Sequence, residues 1–573
     1  MAGARGPVGF GYPADARRWL SPAPRAWEAE PRVTRRSGSR TVRVGTRLPP
    51  FAHQTRAAPF ARAEVATLLL PALVGSAIEA IAAECCIEQP RQAPYTLRRL
   101  RALTGRLLRR QGWLGAARET GAETLLTGRD EAYAESTLRK SARAMARRGA
   151  VSIAERALER QVEQAVAAAP PTARTVAYTD MFDQVFWSKR PTHAGPIGNR
   201  GNRVLGATYF GLTFVRTGDG PLLAYHVSWH KPAAPLIDAL QHVHATEPRA
   251  SWLFANVDVW IWDRGGAGEP TLLWAIGLRI PFLTVMQGSV AWTDFEHPHT
   301  HTSLGVPVFV RPDAALFDWP CFEGAPVPRE IIFPAHPEKG MQSTKALRYK
   351  TTATFEESDL RNIAGYYKTR WPNNENAIKD VISVGFDKNL DRTLVVCTSR
   401  GTDGKLPRLD ERRRNLQAEI QQLEADHQTS ATRSKVLTRQ KRLARIEETR
   451  LKLTKQPDKA SRAPSGAELL VKVLTMIAFN AIHLMLARSA TEAVRTMSLA
   501  KFRALLLARS VVTVIDGPTL RLYVEPIRDV RERELQQKLV DVANNTELIL
   551  DGRRLFFALQ PCARPHKSTR RRK

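Results

Sequence analysis

The periodicity of the chain changes at residue 175, and the stretch that opens the new pattern constrains every element after it. Thr175 to Ser188, TVAYTDMFDQVFWS, concentrates β-branched and aromatic residues and reads as a strand. It sets a carboxylate, Asp180, among apolar neighbours. An ionised carboxylate on a half-buried strand is costly unless it is paired or ligates a cation. Asp180 therefore calls for partners elsewhere, and two later acids, Asp263 and Glu375, are the candidates. Asp183 competes with Asp180 for the role, but Asp180 falls inside the apolar run.

The elements after residue 175 have a definite order. Strands are expected over Val176 to Trp187, Val204 to Arg216 and Leu222 to Trp229, with Thr217-Gly-Asp-Gly220 turning a hairpin. A helix over Pro235 to Thr246, a strand over Trp252 to Trp262, a helix over Gly268 to Leu278 and a strand over Pro281 to Met286 come next. Three strands, helix, strand, helix, strand is the order of the ribonuclease-H-like fold. The expected class is therefore α/β, a mixed sheet in a domain spanning 171–400, with a Pro-, His- and aromatic-rich β insertion at 288–355.

The flanks differ in kind. Residues 1–61 carry eleven arginines in their first sixty positions against Asp15, Glu28 and Glu30, and read as a disordered basic arm. Residues 62–170 read as an all-α domain. Within it, Ala134 to Gly149 has Leu138, Ala142 and Met145 on one face and Arg139, Lys140, Arg143, Arg147 and Arg148 around the rest, with Ser136 as the expected N-cap. After a helix and a turn, such an element suits a helix-turn-helix reader of a major groove; a solvated basic face is the plainer reading. Residues 401–465 read as a charged helical hairpin and linker. Residues 466–573 read as an apolar helix, short strands around Asp516-Gly517 and Asp551-Gly552, and a basic tail.

The net charge of +30 favours a polyanionic partner, double-stranded DNA before a membrane surface. The five cysteines, at 85, 86, 321, 397 and 562, form no C-x-x-C pair, which argues against a disulfide framework or a structural zinc site and fits a reducing compartment. No signal peptide is apparent, and the apolar run Val65 to Cys86 contains Pro71, Glu79 and Glu84, as a buried helix pair would. A soluble, cytoplasmic protein is expected. His297, His299 and His301 form an H-x-H-x-H run that could ligate a transition metal, although its setting reads as a polar loop; Trp292 and Trp319 could stack on a base or fill the insertion's own core.

Three segments together resemble the DDE transposases of bacterial insertion sequences. They are AYTDMFDQVFWSK from Ala177, WDRGGAGEPTLLWAIGLRIPFLTV from Trp262 and YYKTRWPNNENAIKDVISVGFDKNLDR from Tyr366. The resemblance covers about 175 to 400. It implies that Asp180, Asp263 and Glu375 are catalytic and bind magnesium or manganese, two ions in all. It implies that Tyr366 or Tyr367, Arg370 and Lys379 contact DNA phosphates near the cut end. It further implies cleavage at transposon ends, strand transfer into target DNA, a homodimer on DNA and a bacterial, nucleoid-associated location. Four residues separate Arg370 from Glu375 where the family has three, and Lys379 follows Glu375 by four where seven is typical. Asp258 competes with Asp263, and Glu375 could be an ordinary acid at a helix start. A decayed, transposase-derived DNA-binding protein and a nuclease without strand transfer are the rival functions.

Overall fold

The computed structural model describes residues 64–108, 132–185, 207–230, 235–245, 248–286, 309–311, 329–334, 346–352, 375–384, 392–397, 405–425, 430–454 and 459–560, with 36–37, 40–41 and isolated positions including Glu123, Tyr367, Thr369, Arg370 and Asn373. Of the basic arm, a ladder pairing Arg36–Ser37 with Arg40–Thr41 is described. The rest of that arm, the three-histidine run, Trp292, Trp319, Tyr366 and the basic tail lie outside the described residues.

The chain is mixed α/β. Helices α1 (Ala66–Leu73), α2 (Gly75–Glu84), α3 (Ala93–Thr104), α4 (Glu135–Arg147) and α5 (Ala150–Ala167) come first. The Val65–Cys86 run is indeed a helix pair, bent by 67°. Helix α4 buries Leu138, Ala142 and Met145 as its periodicity required. Its N-cap position, however, is Ala134, not Ser136. Glu135 starts the helix and bonds Arg139 at 2.6 Å, an acid in the first turn paired four residues on. Gly149, at φ 83°, breaks α4 from α5.

An eight-stranded sheet comes next, built from β1 (Thr175–Val185), β2 (Ala207–Thr217), β3 (Leu223–His230), β4 (Val259–Trp262), β5 (Phe282–Val285), β6 (Phe309–Arg311), β7 (Arg329–Pro334) and β8 (Ala346–Thr351). Its order is β3-β2-β1-β4-β5-β8-β7-β6. Strands β1, β2 and β3 are antiparallel neighbours, while β1 to β4 and β4 to β5 are parallel. The insertion's strands do not form a sheet of their own. Strand β8 pairs with β5 and carries β7 and β6 outward, so the same sheet continues.

Two helices, α6 (Leu236–His244) and α7 (Arg249–Asn256), precede β4. The single strand expected from Trp252 is thus corrected to a helix and a four-residue strand. Arg249, Ala250 and Leu253 are buried at helical spacing, and Val257 returns the backbone to an extended form. Helix α8 (Glu269–Gly277) links β4 to β5, and α9 (Asn376–Ser383) comes after the insertion.

Strands β9 (Arg392–Cys397) and β10 (Lys459–Pro464) pair antiparallel, and between them run α10 (Lys405–Ala425) and α11 (Ser430–Thr454). Helix α12 (Gly466–Leu486), capped by Ser465 accepting from the Glu468 N–H, is buried along most of its length. Among the described residues it is the one helix long and apolar enough to cross a membrane, yet 83% of that span is buried inside the protein. Short helices α13 (Glu492–Arg495) and α14 (Leu499–Phe502) lead to a four-stranded sheet of β11 (Val511–Asp516), β12 (Thr519–Val524), β13 (Ile549–Leu550) and β14 (Arg553–Leu559), with α15 (Val530–Asn545) against it. One hydrophobic cluster runs from Val65 in the first helices through Phe210 and Val381 to α12 and Phe557.

Candidate active site

Asp180 and Asp263 are brought together by strand register. Strands β1 and β4 pair Thr179 with Trp262, so Asp180, next along β1, and Asp263, the first residue past β4, come side by side. The turn after β4 is built by short-range bonds. Asp263 Oδ1 accepts from the Gly265 N–H at 2.7 Å, and Trp262 Nε1 donates to the Gly266 carbonyl at 3.0 Å. Thr284 on β5 donates to the Asp263 carbonyl at 3.1 Å. A Cβ on Gly266 would lie 2.4 Å from Trp262 Cδ1, so the turn requires glycine there. Asp258, the rival, is occupied elsewhere. Its Oδ2 accepts from the Thr175 N–H at 2.6 Å and fastens the start of β1.

Glu375 arrives from the far side of the insertion, at the head of α9. Asn373 and Glu375 lie in a π-helical turn. The segment is held to the sheet by polar bonds that the sequence did not reveal. Tyr178 OH bonds Thr369 Oγ1 at 2.8 Å and accepts from Asn373 Nδ2 at 3.0 Å, and Arg216 donates to Asn373 Oδ1 at 3.0 Å. Asp380 caps α14, accepting from the Leu499 and Ala500 N–H groups, which anchors the other end of α9.

The convergence centres on Arg370. Its Nη1 donates to Asp180 Oδ2 at 3.0 Å and its Nη2 to Glu375 Oε1. The guanidinium also lies 5.7 Å from the Tyr367 ring centroid, and Tyr367 meets Tyr349 at 5.4 Å between centroids. Burial and the nearby Asp263 charge push the Asp180 carboxyl up to about 6, with Glu375 adding to them; Arg370 and the Met181 N–H pull the other way. Burial opposes the charge on Arg370, but Tyr367, Asp180, Glu375 and Asp263 outweigh it and hold its pKa above the usual value. Burial also raises the Tyr367 hydroxyl. All three acids therefore act on one another or on one cation.

Tyr367 and Arg370 thus stand inside this group, while Lys379 is exposed on α9. Arg139, Lys140, Arg143 and Arg147 are on α4, away from its buried face. Sequence reasoning missed the bridging position of Arg370 and the Tyr178–Thr369–Asn373–Arg216 clamp.

Three carboxylates supply hard oxygen donors, the chemistry that magnesium and manganese take. The guanidinium supplies positive charge between two of them. Among the described residues no three acidic, histidine or cysteine side chains are placed to hold one ion together. The donor set fits divalent ions in chemistry, while in this arrangement the Arg370 guanidinium stands between Asp180 and Glu375. No protein-family model matches the chain, and no curated protein matches it.

Proposed function

We propose that the chain is a DDE transposase with a ribonuclease-H-like catalytic sheet. The observation that carries this reading is the meeting of Asp180, Asp263 and Glu375 around Arg370, from three segments far apart in sequence. The strand order β3-β2-β1-β4-β5, antiparallel on one side of β1 and parallel on the other, supports the fold assignment.

Asp180, Asp263 and Glu375 would hold two divalent ions, magnesium or manganese, whose chemistry is to generate an oxygen nucleophile and stabilise the leaving oxygen at a phosphodiester. The chain's own part is placement. Asp180 and Asp263 are fixed by neighbouring strands, and the Tyr178–Asn373 clamp sets Glu375 against them. Arg370, released from the acids, presents a planar fork to a phosphate, with Tyr367 beneath it. Lys379 adds a point charge one helical turn from Glu375. Helix α4, with Arg139, Lys140, Arg143 and Arg147, would read transposon ends, and two copies would act on paired ends. The net charge of +30 supports DNA as the partner.

The test uses full-length protein, magnesium and a duplex carrying the element's ends. Asp180→Asn, Asp263→Asn and Glu375→Gln are each expected to lower cleavage and joining about a thousandfold or more, the effect of losing roughly 4 kcal/mol of transition-state stabilisation. DNA affinity in the absence of metal should persist. Full cleavage by the Asp263→Asn variant would remove the assignment. Cleavage without joining would leave a nuclease.

A further inference from the structure

The helical hairpin of α10 and α11 contributes little to the core. Ile420 is its one buried side chain among the described residues, and two ion pairs tie the helices, Arg439 to Glu419 and Arg450 to Asp410, each at 2.8 Å. The hairpin grows from the β9–β10 ribbon. That ribbon comes after α9, whose head carries Glu375, and runs directly into the core helix α12. The arm is thus rooted in the chain between the candidate active site and the core.

Most exposed cations of α11 share one face, which Glu448 borders in its ion pair with Lys452, while Arg433 lies on the opposite flank. Val436, Arg439, Leu443, Ile446 and Arg450 turn toward α10. At 100° per residue, Lys435, Lys441, Arg442 and Arg445 fall within about a third of the helix circumference, on one flank of that seam and extending round its outer side. All four are exposed, and none forms an ion pair among the described residues. They span about 15 Å along the axis. The opposite flank carries Leu437, Ala444 and Leu451 at heptad spacing, also exposed. A coiled-coil partner needs apolar residues at two positions per heptad, and this flank offers one. The charged flank, by contrast, is complementary to a polyphosphate.

We propose that this flank of α11 is a second DNA contact, in which Lys435, Lys441, Arg442 and Arg445 grip the backbone of duplex that extends beyond the active site. The contact is sequence-independent, since point charges and guanidinium groups on phosphates position a duplex without reading it. It rests on the nucleic-acid part of the proposed function and is indifferent to the metal chemistry.

The test is equilibrium binding of the full-length protein to a random-sequence duplex, with chelator present, across a salt series. Neutralising a cation that contacts a phosphate flattens the slope of log affinity against log salt by about 0.9, so the fourfold variant Lys435→Gln, Lys441→Gln, Arg442→Gln, Arg445→Gln should lose roughly 3.6 from the slope. The double variant Lys441→Gln, Arg442→Gln should lose about half as much, and serves where the fourfold variant does not keep its helix content. An unchanged slope in the arm variants, with the wild type binding DNA, overturns the proposal. An unchanged slope accompanied by loss of self-association overturns it in favour of a contact between copies. A wild type with no salt-dependent DNA binding overturns this proposal and the nucleic-acid reading together, whereas loss of cleavage alone touches only the active site.

Discussion

At the scale of single residues, Arg370 decides the state of the site. Its side chain is 11% exposed, and those of Asp180 and Glu375 are 17% and 21% exposed, so the three are only partly screened by water. Removing one partner of such a cluster leaves charges without compensation. Arg370→Gln is therefore expected to destabilise the metal-free protein by about 1–3 kcal/mol, less than a fully buried pair would lose because solvent reaches all three groups. Manganese should then raise the melting temperature of the variant more than that of the wild type, since binding no longer has to displace the guanidinium. Thermal unfolding with and without manganese checks this; equal shifts in the two proteins would show that Arg370 does not compete with the ion. Asp180 stood out in the sequence because a carboxylate inside an apolar run needs a reason to be there, and Asp263 and Glu375 followed from the element order and the resemblance. The bridging position of Arg370 was not legible, because sequence spacing does not show that one guanidinium will sit between acids from two different segments. Tyr178 was hidden for a related reason, since nothing local marks its hydroxyl as the partner of Thr369 and Asn373.

At the scale of elements, the contact between β3, α6, α7 and α5 holds an unexpected cluster. His226 Nε2 bonds His242 Nδ1 at 3.0 Å, His230 Nε2 bonds Ser228 Oγ at 2.6 Å, and Arg249 lies beside His226 while bonding Glu159 at 2.6 Å. Burial first, then Arg249 and the neighbouring imidazoles, holds His226 well below the usual histidine range. Burial and then His242 bring His230 down to about 4, and burial and then Arg249 lower His242. The unfolded chain takes up these protons near pH 6.5, and the folded chain resists them. The stability that depends on neutral imidazoles is thus complete above about 6.5 and is lost as pH falls toward the folded values. Glu159, raised to about 7 by burial, and Glu155, also raised by burial, contribute with the opposite sign. The difference between two proteins isolates the histidine part. Denaturant melts of His226→Gln should show a shallower acid loss than the wild type between pH 6.5 and 4; parallel curves would remove the assignment. None of this was legible, because period-2 alternation gives β3 its faces but not what α7 lays against them. The same limit produced the single strand expected over Trp252 to Trp262. SWLFANVDVWIW is apolar enough for either period, and what separates helix from strand is the buried Arg249, bonded to Glu159 on a helix nearly a hundred residues earlier.

At the scale of the whole molecule, α12 joins parts that read as separate in the sequence. It packs on α4 and α5, on β3 and on α15, so helices before the sheet, the sheet itself and the C-terminal region close around it. Its periodicity was legible as a core helix, but its polar residues disclosed nothing of their partners. Lys472 and Glu468 are both buried; Lys472 lies over the Phe210 and Phe386 rings at 4.6 and 4.5 Å, and Gln184 of β1 donates to Glu468 at 3.2 Å. Asn480 does more. Among the described residues strand β3 is the edge of the sheet, and its outward backbone groups meet no strand there. Asn480 Oδ1 accepts from the Ala224 N–H at 2.7 Å, and its Nδ2 donates to the Ala224 carbonyl at 2.8 Å. One side chain on the central helix thus supplies both bonds that a ninth strand would have made at this position. Asn480→Leu keeps a similar volume and removes both bonds, leaving a buried donor and acceptor without partners. Each such group costs about 1–3 kcal/mol, so a loss of roughly 2–6 kcal/mol is expected. That is a large share of a typical domain's stability. Because α12 ties the sheet to both flanks, the loss should lower a single cooperative transition followed by urea denaturation. If the sheet instead melts separately from the flanking helices in the wild type, α12 is not the element that unites them, and the variant should then shift only one of the two transitions.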